Sequence, residues 1–200
     1  FGGGIMAQGT VSIIDSTIAQ NTAGSGGGLE TGAFTTVFVT GSAFNGNQAT
    51  GGDGGGLHVF RSDAFVSEST ISDNTAMFSG GGIIVAGGHA EIVDSTVDGN
   101  IADACNGGGG IAVFGTYNAS TVSVTISTLS GNTAPIGGGV AAIDDATAIL
   151  TSATISGNSA SNAGGGVGTV GVGIIELSTS LVAHSAAGGN CTNVIDGGNN

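Results

Sequence analysis

The sequence predicts an all-β fold: a right-handed parallel β-helix of about seven coils, each of about 26 residues with three short strands. Three observations carry that prediction. Gly triplets begin at residues 2, 26, 54, 80, 108, 137 and 164, each followed by an apolar residue (Ile5, Leu29, Leu57, Ile83, Ile111, Val140 and Val167). A second motif, Ser/Thr-apolar-x-x-Asn-x-Ala, supplies apolar anchors at Ile18, Phe44, Ile71, Val97, Leu129 and Ile155, with Leu181 a degenerate seventh. Its Asn members are Asn21, Asn47, Asn74, Asn100, Asn132 and Asn158, with His184 in the seventh place. Anchors and Asn residues both advance by 26, 27, 26, 32, 26 and 26. Between the motifs lie alternating apolar pairs such as Val11/Ile13, Val37/Val39, Ala64/Val66 and Val122/Val124. Period-two alternation of this kind marks half-buried strands.

Each element follows from these columns. A repeat this short cannot bury its own inner face, but stacked copies can, and no stretch shows a helical period. The Gly triplets permit positive φ and close backbone approach at a tight corner. The Asn residues suit the left-handed backbone of a turn, and their stacked amides can bond one to the next along the axis. The 32-residue step implies a protruding insertion near residues 115–121. In the irregular seventh coil, Ile175 and Leu177 fill the inward pair one residue out of register, because Glu176 would otherwise face the core. Residues 1–200 form a single domain on this reading, a mature part or fragment of a longer chain whose targeting segment lies elsewhere.

Composition removes several function classes. Of 200 residues, 42 are Gly, one is Pro, one is basic and 14 are acidic, for a formal net charge of -13. One cation cannot neutralise a phosphate backbone, which excludes nucleic acid as a partner. With no Lys, a phosphate-loop enzyme is excluded as well. Clustered Gly and a single Pro exclude collagen, and no run of 18 apolar residues provides a transmembrane segment. Gly51–Leu57 lacks the sixth-position Asp and the tandem copies of the calcium-binding Gly-rich nonapeptide.

The once-per-coil alternation of Gly-Gly-x-apolar with apolar-x-x-Asn resembles the repeats of polymorphic outer-membrane proteins and related secreted bacterial β-helix proteins. Phe44-Asn45-Gly46-Asn47 matches that family's Phe-x-x-Asn, and the ending around Asn190, Cys191 and Asp196 is similar to the terminal coil of such relatives. The resemblance spans the chain. It implies a β-helix and a surface-exposed or secreted passenger, often adhesive, and brings no catalytic residues. An extracellular or cell-surface location follows from it.

Stacking makes residues of one column neighbours. Three residues before the anchors, Glu68 and Asp94 should sit about 5 Å apart. They are candidate ligands for Ca2+ if carbonyls and waters complete the shell; otherwise they form a solvated acidic face. Asp63 aligns with His89 and Glu30 with His58, as carboxylate–imidazole pairs without an identifiable nucleophile. A lyase acting on acidic glycans needs basic residues, and only Arg61 is available. A hydrolase needs two carboxylates at a fixed separation, whereas Asp144 and Asp145 would face opposite sides of a strand. No catalytic residue and no cofactor are therefore expected, with a glycan-binding or glycan-degrading enzyme as the alternative.

Two faces stand out. Phe60, Ile84, Phe114, Ile143 and Val170 form an outward apolar stripe, a candidate interface for self-association or cover by another segment. Thr17, Thr70, Thr96, Thr128, Thr154 and Ser180, interrupted by Ala43, precede the anchors as a hydroxyl column of the kind ice-binding solenoids display. The column after the anchors is too varied for a two-dimensional array, which leaves ice binding as a second alternative. Cys105 and Cys191 belong to one corner about three coils apart, roughly 14 Å, beyond disulfide reach. The expected function is a non-catalytic structural or adhesive rod that contacts a cell surface or glycan, or associates with its own copies.

Overall fold

A computed structural model describes residues 2–103, 107–115 and 119–198. All of its regular structure is β, arranged as four parallel sheets that run the length of a solenoid. The third coil shows the pattern: Leu57–Phe60 belongs to a sheet that follows the Gly triplets, and Asp63–Ser67 to a broad sheet. Thr70–Ser72 carries the anchor, and Thr75–Ala76 lies in a short fourth sheet. The first two sheets contain eight strands, the anchor sheet seven and the short sheet six. The chain is thus a β-solenoid of seven coils plus the opening strands of an eighth, Cys191–Thr192 and Ile195–Asp196.

The count of strands per coil corrects the three expected. The turn at the Asn motif takes a single left-handed residue, so the chain is extended again two residues later. Its fourth strand buries Ala49, Ala76, Ala102, Ala134 and Ala160, the small residue at the end of each motif. The left-handed residue is also not the Asn itself. It is the residue before it: Gln20, Gly46, Asp73, Gly99, Gly131 and Gly157, with φ between 52 and 67° when His184 of the seventh coil is included. A non-Gly residue pays steric strain there, which is why Gly holds the position in four of the seven coils.

The core is one continuous stack of inward residues. The anchors Phe44, Ile71, Val97, Leu129 and Ile155 meet the inward pairs Val37/Val39, Ala64/Val66, Ala90/Ile92 and Val122/Val124, all buried. Ile175 and Leu177 are buried opposite Ala148 and Leu150, so the seventh coil's inward pair is as the pattern requires.

One anchor assignment is corrected. Val182, not Leu181, pairs with Ile155, and Leu181 is 57% exposed. The seventh coil arrives one residue later, since Val167 pairs with Val140, 27 residues before it. His184 consequently takes the left-handed corner beside Gly157, and Ser185 takes the place of the Asn. The insertion falls between Phe114 and Ser120, at the corner joining the triplet and broad sheets, and its residues 116–118 lie outside the described residues.

Candidate functional site

Two interior ladders fix the coils before any surface can be considered. In the first, each inner Asn, from Asn47 to Asn132, bonds three coils together. Asn74 Nδ2 donates back to Phe44 O at 3.0 Å and forward to Asn100 Oδ1 at 2.9 Å, while its backbone N–H donates to the same Oδ1. The pattern runs from Asn21 to Asn158 through Asn47, Asn100 and Asn132. The Asn column is structural, with its amides spent on the fold.

The second ladder is formed by Ser42, Ser69, Ser95 and Ser127, two residues before the anchors. Ser69 N–H donates to Ser95 Oγ at 3.1 Å, and Ser95 Oγ donates to Val93 O at 2.8 Å. Ala153 interrupts it, and Ala153 N–H resumes it by donating to Ser180 Oγ. Ser180 is therefore an interior ladder residue, and Leu181 takes its place in the outward column with Thr154. Sequence reasoning missed this ladder. Its signal was a Ser at nearly every position two before an anchor.

The expected acidic pair is brought together but remains open. Glu68 and Asp94 occupy the same left-handed corner on adjacent coils, with φ of 49 and 47°, and both are exposed. Among the described residues, no group of three or more His, Cys, Asp or Glu side chains is placed to hold a metal ion.

The expected apolar interface is corrected. Ile84 is 2% exposed and Ile143 1%, so neither is available to a partner; Phe114 and Val170 are half-buried against them, and Phe60 is half-buried farther along. The cover comes from this chain. From Gly26 onward the first Gly of each triplet is left-handed and folds the preceding loop onto the outer side of the strand that follows. A Cβ at Gly80 would stand 2.7 Å from Ile84 Cβ, and one at Gly108 2.7 Å from Ala112 Cβ. Farther on, Ile136 packs on Gly168, whose added Cβ would lie 3.1 Å from Ile136 Cγ2.

In the earlier coils the same outward column carries two polar residues, Glu30 and His58, aligned in register between Met6 and Ile84. His58 Nδ1 lies 3.8 Å from Glu30 Oε1, and its nitrogen is buried without a hydrogen bond. Asp53, just before the left-handed Gly54 that lies over His58, accepts Ser79 N–H at 2.9 Å. Burial pushes the His58 imidazole below its ordinary pKa, with Glu30 and Asp53 opposing. Burial also raises Asp53, opposed by the Ser79 bond and His58. The cluster holds a neutral imidazole between carboxylates. No hydroxyl or thiol among the described residues bonds to His58, so the imidazole has no serine, threonine or cysteine to activate.

The second pair, Asp63 and His89, is in register, but His89 Nδ1 lies 2.8 Å from Thr121 Oγ1 instead. In the anchor sheet, Thr70, Thr96, Thr128 and Thr154 do form a continuous outward column. The neighbouring column is tied up along the axis, with Asn45 Nδ2 donating to Ser72 Oγ and Ser130 Oγ to Asp98 Oδ1. Cys191 is free and exposed, and Cys105 lies outside the described residues.

The face that sequence reasoning passed over is the outer side of the broad sheet. Its central column reads Ser12, Phe38, Phe65, Glu91, Ser123, Ile149 and Glu176, the residues between the inward pairs. Phe38 and Phe65 stack with centroids 5.2 Å apart, and Phe38 and Ile149 are each 40% exposed.

Fold and faces together define the class: the chain is a parallel β-solenoid repeat protein. No family model, curated protein or solved structure matches it. Among the described residues no helix is long and apolar enough to cross a membrane.

Proposed function

We propose that this solenoid is a non-catalytic structural or adhesive rod of the extracellular space or cell surface, a passenger-type module. The observation that supports the reading most is axial continuity. Two hydrogen-bonded ladders and one apolar core run from coil to coil, so the repeating residues are committed to rigidity along the rod. Function is then left to the outward columns, which vary from coil to coil. Among the described residues no hydroxyl or thiol bonds to His58 in the buried cluster Glu30–Asp53–His58, which weighs against a hydrolase of the hydroxyl- or thiol-nucleophile type. The motif resemblance to polymorphic outer-membrane repeats supports the location. Rods of this kind associate with their own copies through strand edges.

The test has two arms. Incubation with a panel of neutral and acidic polysaccharides should release neither reducing ends nor unsaturated products; release of either overturns the reading. Negative-stain microscopy at rising concentration should show rods that lengthen, whereas short monodisperse particles remove self-association and leave the rod itself.

A further inference from the structure

The outer face of the broad sheet has an amphipathic character that the rest of the surface lacks. It is seven full strands wide and five residues deep, about 29 by 17 Å at ordinary strand and residue spacings. Its apolar members, Ile14, Phe38, Ile149 and Ile174, are all at least 40% exposed, and Phe65 and Val93 lie among them half-buried. The corner residues Phe34 and Val172 extend it on one side and Ile126 on the other, all exposed. Most of the large exposed apolar side chains of the described residues therefore lie on one sheet and its two edges. Scattered exposed apolar residues need no explanation, but a concentrated set marks a contact surface.

The same face concentrates negative charge. Asp63, Glu91 and Glu176 project from the sheet. Asp15, Glu68 and Asp94 line the corner toward the anchor sheet, and Asp144 and Asp145 the corner toward the triplet sheet. These eight are more than half of the 14 acidic residues, and the chain's one basic side chain, Arg61, sits at the edge, 5.8 Å over the Phe60 ring. A second copy is a poor occupant. A two-fold along the central strand His89–Val93 would set Glu91 against Glu91 and both acidic rims against each other, with no Lys to compensate. An anionic glycan or lipid surface meets the same repulsion.

We infer that the outer face of the broad sheet docks a cationic protein segment with an apolar side, seated on Phe38, Phe65 and Ile149 with its basic residues over the flanking carboxylates. The inference rests on the reading of the chain as a binding rod, and adds the face and the chemistry of the partner. A helix of about 20 residues spans the same length, about 30 Å. Apolar burial supplies affinity, and the carboxylates supply rate and selection against acidic partners.

The probe is a Leu/Lys amphipathic peptide of about 20 residues, titrated into the intact protein at several salt concentrations. Comparison probes are its Leu/Glu counterpart and oligolysine of equal length. The Leu/Lys peptide should bind, more weakly as salt rises, and the Leu/Glu peptide should not. Oligolysine should bind at least about tenfold more weakly, since it lacks the apolar side. The double variant Phe38→Ser/Ile149→Ser should lose about tenfold or more in Leu/Lys affinity while still unfolding cooperatively, at a melting temperature lowered by the lost Phe38–Phe65 stacking. Glu91→Gln/Glu176→Gln should lose affinity too, while Asp103→Asn, on the short sheet's side, should not. Equal binding of oligolysine and the Leu/Lys peptide overturns the inference, as does equal loss in the Asp103 variant. A dimer of the free protein that Phe38→Ser/Ile149→Ser dissociates also overturns it, by making the face a self-interface. None of these outcomes bears on the polysaccharide assay, so the rod reading fails or stands separately.

Discussion

Asn74 donates its backbone N–H and its side-chain amide to the same atom, Asn100 Oδ1, at 3.0 and 2.9 Å. The second amide hydrogen reaches Phe44 O on the preceding coil. One side chain therefore bonds three successive coils in a buried corner where water cannot substitute. Each such bond contributes modestly, but leaving the groups unpaired is expensive.

Asn100→Ala should therefore cost about 3 kcal/mol or more, because it leaves two Asn74 donors without an acceptor and removes the donor to Ile71 O. A melting temperature lower by roughly 6–12 °C is the expected readout. Asn21→Ala, at the half-buried first step of the ladder, should cost less than about 1 kcal/mol. Asn100→Asp adds a diagnostic. Its second oxygen would face Asn132 Oδ1 and Ile71 O, which favours the protonated acid. The folded state then binds a proton more tightly than the unfolded one, so the penalty should shrink as pH falls. A penalty equal at pH 7 and at pH 4 argues against the ladder as drawn.

The serine ladder yields a stabilising change. Ser95 Oγ accepts Ser69 N–H, and Ser127 Oγ accepts Ser95 N–H, but Ala153 offers no hydroxyl to Ser127. Ala153→Ser restores one, in a corner where Ser127 Oγ already donates to Thr125 O, so the new hydroxyl has Thr151 O as its counterpart acceptor. A gain of about 0.5–1 kcal/mol is expected, against a loss of about 1–2 kcal/mol for Ser95→Ala. Chemical denaturation of the two variants checks both signs. A destabilised Ala153→Ser protein would mean that the interruption serves the packing there.

These ladders also show how far the sequence was readable. The Asn column was legible because its side chain is uncommon and its step matches that of the anchors. The serine column was not, because Ser in a Ser/Thr-rich chain carries no contrast, and only the hydrogen-bond geometry separates inward Ser95 from outward Thr96. Leu181 reads as an anchor because it stands 26 residues after Ile155, the commonest step in the column. The seventh coil enters one residue late, which turns Val182 inward in its place. The alignment of Glu30 with His58 was legible from the columns, but Asp53 was not, since its place depends on how Gly54 folds the loop outward. The same turn covers Ile84, which column reading left exposed. Periodicity gave the interior, and loop direction decided the exterior.

Gly81 and Gly9 separate two reasons for glycine. A Cβ at Gly81 would stand 2.5 Å from the Ile101 carbonyl and 2.6 Å from Gly109 O, both backbone atoms of adjacent segments. Neither can retreat without opening the coil spacing. Gly81→Ala should lower stability by more than about 4 kcal/mol or prevent folding. Gly9 is left-handed at φ 73°, yet a Cβ there meets nothing within 4 Å. Gly9→Ala should cost only the strain of that conformation, about 1–2 kcal/mol. Similar losses for the two would show that coil-to-coil contact does not select the second glycine of the triplet, whose own backbone is not left-handed.

The buried cluster Glu30–Asp53–His58 predicts how acid acts on the rod. Burial holds the folded-state pKa of His58 below its ordinary 6.5, so the unfolded chain binds the proton more readily. Stability from this group is fully present above pH 6.5 and is lost as pH falls from there toward the folded pKa. Asp53 runs the other way. Its folded pKa is raised above 3.8, so the folded state gains protons first and recovers stability as pH falls through that raised value. His58→Gln should therefore flatten the stability profile on the acid side of pH 6.5. Asp53→Asn should keep the bond from Ser79 N–H and remove the cost of a buried carboxylate at neutral pH. Denaturation midpoints measured at half-unit steps from pH 8 to pH 4 test both. A His58→Gln profile that follows the parent protein would place the acid sensitivity elsewhere, and an Asp53→Asn protein less stable at pH 7 would mean that the carboxylate's attraction to His58 outweighs its burial.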